Sequence, residues 1–146
     1  MAISSSLVTT SFKTQVLQGT HDFTASSGDT FKIALYTNSS ALAAGTATYG
    51  DGTATNEVTG TGYSAGGNTL TSVTPVADGT TAVCDFADTS WTSATITAHG
   101  ALIYNSSESN KSVLVLNFGG DKTCTSGTFT IQFPTADASN AILRLA

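Results

Sequence analysis

The chain has 146 residues and a formal net charge of −5, and only 10% of its residues are charged, against about 25% in ordinary soluble domains. Its length suits one domain with a hydrophobic core of its own. The five basic residues, Lys13, Lys32, Lys111, Lys122 and Arg144, do not cluster, so neither nucleic acid nor a membrane surface is expected as a partner.

Ser and Thr fill the polar space instead of charge. Thr is β-branched and favours extended backbone, and fourteen Gly supply turns. This composition reads as a β-rich domain with neutral, hydroxyl-covered strands, and so weakly charged a surface does little to resist association. No run approaches the ~20 apolar residues of a membrane helix. The opening Met1-Ala2-Ile3-Ser4-Ser5-Ser6 lacks the charged and apolar regions of a signal peptide, so assembly in a cytoplasm is expected. Cys84 and Cys124 fit no metal-ligand spacing. Cys84 lies in an apolar run, where a buried free thiol is the usual state, and both thiols are expected to be reduced.

In chain order, Ser4 to Gly19 reads as a helix. Val8, Phe12 and Val16 recur on one face, Ser4, Ser5 or Ser6 would cap its start, and Gly19 suits a left-handed stop. An extended arm is the rival reading. Thr30 to Thr37 is a strand with Phe31, Ile33 and Leu35 facing one way. Asn38 to Gly67 is the least patterned part and reads as a surface excursion, with a short strand near Glu57-Val58 and a Gly-punctuated turn at Gly60 to Gly67. Asn68 to Thr74 is the next strand, stopped by Pro75, and Asp78-Gly79 signals a hairpin into Thr81 to Phe86. Asp88 to Trp91 reads as a bend. Ser93 to Tyr104 reads as one long strand with a possible bulge at His99-Gly100, followed by a turn over Asn105 to Asn110. Ser112 to Phe118, Gly127 to Phe133 and Ala141 to Ala146 are the remaining strands, separated by turns at Gly119-Gly120-Asp121 and Asp137 to Asn140. Strands and turns at this spacing predict an all-β fold. The expectation is an antiparallel β-sandwich, jelly-roll or immunoglobulin-like, over residues 24–146, with a short N-terminal helix or arm over residues 1–23. Its core is expected in Thr81 to Gly120, which holds the only Trp and the densest apolar runs.

Gly62-Tyr63-Ser64-Ala65-Gly66 fits the Gly-x-Ser-x-Gly nucleophile elbow, and Asp85 or Asp88 and then His99 follow in the matching chain order. An elbow needs a buried strand before the Ser and a helix after it; here a strand-like segment follows, so a Gly-rich turn is the expected role. Asp85 and Asp88 as a carboxylate pair give way to the same turn chemistry. Asp51 and Asp121 are loop acids of the kind that hold calcium, without the pattern of a calcium loop. Tyr36, Tyr49, Tyr63 and Trp91 suit either a sugar platform or packing, with packing expected. No catalytic residue, cofactor or metal is expected.

Several stretches resemble a family of tailed-bacteriophage virion structural proteins of similar length. They are Ser11-Phe12-Lys13, Leu17-Gln18-Gly19, His21-Asp22-Phe23, Asp29 to Tyr36, Asn56-Glu57-Val58 with Gly60-Thr61-Gly62-Tyr63-Ser64-Ala65-Gly66-Gly67, Asp85 to Asp88 with Trp91, Ala101-Leu102-Ile103-Tyr104-Asn105, Asn117-Phe118-Gly119, Phe133-Pro134, and Asp137 to Ile142. The match runs almost end to end, and the Glu57 to Tyr63 and Ala101 to Asn105 segments are its specific parts. The resemblance implies a virion component with no catalytic residues. It most resembles capsid cement or decoration proteins, which sit as trimers over capsomer junctions on the major capsid protein at the capsid surface. A tail or head-fibre component, or a carbohydrate-binding adhesin, is the alternative. The expected partner surface is the N-terminal arm through Phe23 and the Gly-rich excursion, with Phe12, Val16, Leu17, His21, Phe23, Tyr49 and Tyr63 as candidate contacts.

Overall fold

In the computed structural model, which describes residues 3–146, the densest apolar stretch folds as one long hairpin. Its strands are β6 (Thr89–Asn105) and β7 (Lys111–Ile131). The turn between them is built by Asn105, whose side-chain oxygen accepts from the Ser107 and Glu108 amides, while Ser109 and Asn110 take positive φ. Around the hairpin lie β1 (Leu7–Val8), α1 (Thr10–Leu17), β2 (Phe31–Tyr36), β3 (Asn68–Thr69), β4 (Ser72–Asp78), β5 (Thr81–Phe86) and β8 (Leu143–Leu145). They form a five-stranded sheet in the order β1-β7-β6-β2-β3 and a three-stranded sheet in the order β4-β5-β8. Every pairing is antiparallel. The expected all-β sandwich with one short helix is the fold that forms.

The core fills the space between the sheets. Phe31, Ile33 and Leu35 of β2 meet Ala101 and Ile103 of β6, Cys84 and Phe86 of β5, and Trp91 at the far end of β6. The Phe23 and Phe31 rings stack with centroids 4.3 Å apart. Cys84 and Cys124 are both free thiols, and burial pushes the Cys84 thiol up to about 12.

Six local expectations are corrected. The helix is shorter than Ser4 to Gly19, because Leu7 and Val8 pair with Val115 and Leu114 as a strand. The apolar spacing of Val8, Phe12 and Val16 therefore crosses from a strand into a helix. The residue before α1 is Thr9 rather than Ser4, Ser5 or Ser6, and its hydroxyl bonds Val113 O at 3.2 Å instead of capping the helix. Pro75 does not stop its strand: β4 runs through it to Asp78 along a sheet edge, with the register shifting between Val73 and Val76. A residue with no N–H to donate is tolerated at such an edge irregularity. The Asp88 to Trp91 bend is instead the start of β6.

Gly119-Gly120-Asp121 reverses nothing. Ala98 pairs with Lys122 and Gly100 with Asn117, so Phe118 to Asp121 form an excursion inside β7 opposite His99 alone. The positive φ of Gly119 and Gly120 makes the excursion, and a His99–Asp121 contact of 2.7 Å closes it. Finally, Asn38 to Gly67 is no loose surface loop. It covers the second face of β2, where Ala34, Tyr36, Leu102, Tyr104 and Val115 pack with Ile3 and Leu42 in a separate cluster. Sheet residues facing both ways are thereby buried.

Candidate functional site

The part of the excursion that seals it to the sheet is also its richest polar cluster. The four tyrosines of the chain, Tyr36, Tyr49, Tyr63 and Tyr104, gather around Glu57. An isolated antiparallel bridge from Tyr36 to Glu57, with Val58 N donating to Leu35 O at 2.9 Å, lays the Glu57 segment along the end of β2. Glu57 Oε1 accepts from Tyr63 Oη at 2.7 Å and from the Gly66 amide at 2.7 Å, and Oε2 accepts from Tyr49 Oη at 2.9 Å. Tyr63 Oη in turn accepts from Leu35 N at 2.9 Å. Tyr104 Oη donates to Gly66 O at 2.8 Å, and its ring stacks on Tyr49 with centroids 4.6 Å apart.

Burial, with Glu57 beside it, pushes the Tyr49 phenol up to about 12. Burial first and the same carboxylate after it drive Tyr36 and Tyr63 still higher; Tyr104 rises through burial and its neighbour Tyr49. All four phenols are therefore protonated at neutral pH. Tyr49, Tyr63 and Tyr104 act as hydrogen-bond donors, Tyr36 Oη is buried without a partner, and the cluster fastens Gly60 to Gly67 onto β2 and β6.

The nucleophile-elbow pattern does not assemble. Ser64 is exposed, and β3 rather than a helix follows it. His99 Nδ1 pairs with Asp121. Asp85 accepts from its own neighbour Phe86 N, and Asp88 accepts from Phe133 N at 2.8 Å. Asp51 is occupied by Thr53 N and Oγ1, both at 2.9 Å, in a local turn. Among the described residues no group of three His, Cys, Asp or Glu side chains is placed to hold a metal ion. Tyr36 and Trp91 are buried, so they form no exposed sugar platform with Tyr49 and Tyr63.

The seven candidate contact residues fall into two groups. Tyr49 and Tyr63 bond Glu57 as described. Phe12, Val16, His21 and Phe23 line one apolar cleft under α1. Phe12 and Phe23 are buried core residues and offer no surface to a partner; the N-terminal segment folds back onto its own sheet through β1 and Phe12. Leu17, 90% exposed, is the member of this set that is free to meet one. Sequence reasoning missed Glu57 as the centre of the tyrosine cluster and missed exposed Leu145 on the last strand. The available signals were an acid within an otherwise neutral Gly-rich segment, and the alternation Leu143-Arg144-Leu145.

His21 fixes how the N-terminal segment docks. Asn105 Nδ2 donates to His21 Nδ1 at 3.0 Å and to Asp29 Oδ2 at 2.7 Å, which leaves His21 Nε2–H to donate to Gln15 Oε1 at 2.8 Å. A proton on Nδ1 would set two donors against each other. Burial holds the imidazole below its ordinary value, with Asp29 and Glu108 opposing and Lys111 reinforcing. The unfolded chain then binds the proton more readily than the folded one. Stability should rise with pH between the lowered folded value and the ordinary one, and fall on acidification through that window. Urea unfolding at mildly acidic and neutral pH should show this slope, reduced in His21→Gln; an equal slope in the variant would remove His21 as its source.

Compared with known proteins, the chain matches no family model, no curated protein and no solved structure.

Proposed function

We infer that the chain is a non-enzymatic virion structural subunit of the capsid cement or decoration kind, which stabilises a phage head by binding across capsomer junctions. One observation carries this reading. The two segments most specific to the virion-protein resemblance meet in a single internal fastener, where Glu57 and Tyr63 bond each other and Tyr104 bonds Gly66. These polar residues of the resemblance hold a loop to a sheet, which is a structural duty.

The outer face of the β6–β7 hairpin supports the same reading. Ser90 bonds Thr130 at 2.8 Å and Thr97 bonds Thr123 at 2.9 Å across the strands, with Thr92, Thr95, Thr125 and Thr128 exposed around them. An uncharged hydroxyl face can be covered by another subunit without stranding ions, the costly event in burying a surface. Binding is then the whole mechanism, and a trimer on the major capsid protein gains avidity without stronger single contacts.

The isolated protein is expected to be a trimer by native mass spectrometry. It is expected to co-sediment with expanded heads and not with immature ones, having been made in the bacterial cytoplasm and added to the capsid surface. A monomer that binds neither, or cryo-EM density for the chain in tails alone, would sink the reading.

A further inference from the structure

The three-stranded sheet has two outer strands, and they differ. β4 carries Pro75 and a register irregularity, both of which blunt an edge against further pairing. β8 carries neither, and no strand among the described residues pairs with its other side. Alongside β8 runs a groove of about 360 Å³, walled by α1 through Lys13, Val16 and Leu17 and by Leu143, Arg144 and Leu145. Leu17 is 90% exposed and Leu145 59% exposed, so large apolar side chains stand in water beside this open edge; β4 also exposes Val73 and Val76, but at the edge that Pro75 and the register shift blunt.

The charge of the groove is the reverse of the chain's. The molecule is acidic, with ten Asp and Glu against five Lys and Arg, yet the groove is lined by two basic residues, Lys13 and Arg144, and by no carboxylate. Arg144 donates to Ala138 O and Ser139 O, which holds its guanidinium in place at the strand. Asp137, whose carboxylate feels Arg144, is occupied within its own turn by Ser139 N and Asn140 N, both at 2.8 Å.

We propose that the free edge of β8 and the groove between it and α1 bind an extended segment of another protein that alternates apolar residues with carboxylates, adding a strand to the three-stranded sheet. Backbone hydrogen bonds to β8 supply pairing, alternate apolar side chains enter the groove beside Leu17 and Leu145, and carboxylates meet Lys13 and Arg144. A second copy of this chain is the poorer occupant. Antiparallel pairing of two β8 strands about a two-fold axis through Arg144 would set the two guanidinium groups opposite each other, and like charges directly opposite are destabilising. The inference is independent of the virion reading, because it concerns the chemistry of the segment and not the particle that carries it.

The test uses two capped synthetic peptides, one alternating valine with glutamate and the other valine with lysine, titrated into the full chain by calorimetry and by NMR. The glutamate peptide should bind with amide shifts at residues 143–145 and along α1, and the lysine peptide should bind at least about tenfold more weakly. Lys13→Glu, a change at an exposed helix position that leaves the fold intact, should erase most of that difference. Equal binding of the two peptides, no binding of the glutamate peptide at about 1 mM, or an unchanged preference in Lys13→Glu would overturn the proposal. So would a concentration-dependent dimer that Leu145→Lys abolishes, since that would make a second copy the occupant.

Discussion

Gly67→Ala is expected to destabilise the protein by at least about 3 kcal/mol, and to leave it largely unfolded if its total stability is at the low end for domains of this size. Gly67 has a φ of +68° and lies with its backbone against β2. A Cβ there would fall far inside contact with the Ile33 carbonyl and 2.8 Å from Ala34 Cα. All of these are backbone atoms, with no flexible side chain to give way. Nor can the glycine retreat, because the next residue, Asn68, pairs with Ile33 and the Leu70 amide donates to Phe31 O at 2.8 Å. Gly79→Ala is the matched control. Its φ is +60°, in the turn from β4 to β5, but nothing lies within 4 Å of the added carbon. It should cost only the left-handed strain, about 1 kcal/mol. Thermal unfolding of the pair should separate them by several degrees, at ~2–4 °C per kcal/mol for a chain of this size. Equal losses would mean that the Gly-rich excursion is not seated on β2 as described.

The contrast between these two glycines also marks what a sequence can reveal here. Asp78-Gly79 is a local signal: a two-residue turn between alternating strands needs a residue with positive φ, and both the turn and the strand Thr81 to Phe86 lie where that signal puts them. The apolar alternation of Phe31, Ile33 and Leu35 likewise marks β2. Gly67 is different. Its requirement comes from a strand more than thirty residues earlier in the chain, and nothing in the Gly-rich composition says that the loop returns to that strand. The same limit explains the second face of β2. Ala34 and Tyr36 are modest signals of burial, and their covering residues, Leu42 and Ile3, are single large apolar residues that belong to no alternating pattern. Gly119-Gly120 advertised a turn correctly, but whether a turn reverses a strand or bulges from it depends on the partner strand, and β6 continues straight past it. The candidate site was legible in its parts. Tyr49 and Tyr63 were singled out, but as outward contacts, because one sequence does not show that Glu57 lies between them.

Glu57→Ala is expected to cost about 3–4 kcal/mol, since it strands three donors at once, the hydroxyls of Tyr49 and Tyr63 and the Gly66 amide, and each partly buried donor left without a partner costs about 1–3 kcal/mol, less than additively. Tyr63→Phe removes one of those donors and also the acceptor of the Leu35 amide, so it should cost about 1–3 kcal/mol. The double variant should be less damaging than the sum of the singles by about 1 kcal/mol, because the two changes remove the same bond. Glu57→Gln keeps an oxygen for Tyr63 and Gly66 and should fall well short of the alanine variant. Amide hydrogen exchange adds the location. Protection in Glu57→Ala should drop over residues 57–67, which the cluster ties down, while the pairing of Ile103 with Leu114 in the central hairpin keeps its own. If Glu57→Ala unfolded with an unchanged midpoint, the carboxylate would not be a fastener, and a carboxylate with three nearby donors and no structural duty would have to be read as a site for something else. The expected loss therefore tests more than stability. It decides whether Glu57 and the tyrosines around it hold this fold together or were placed there for chemistry.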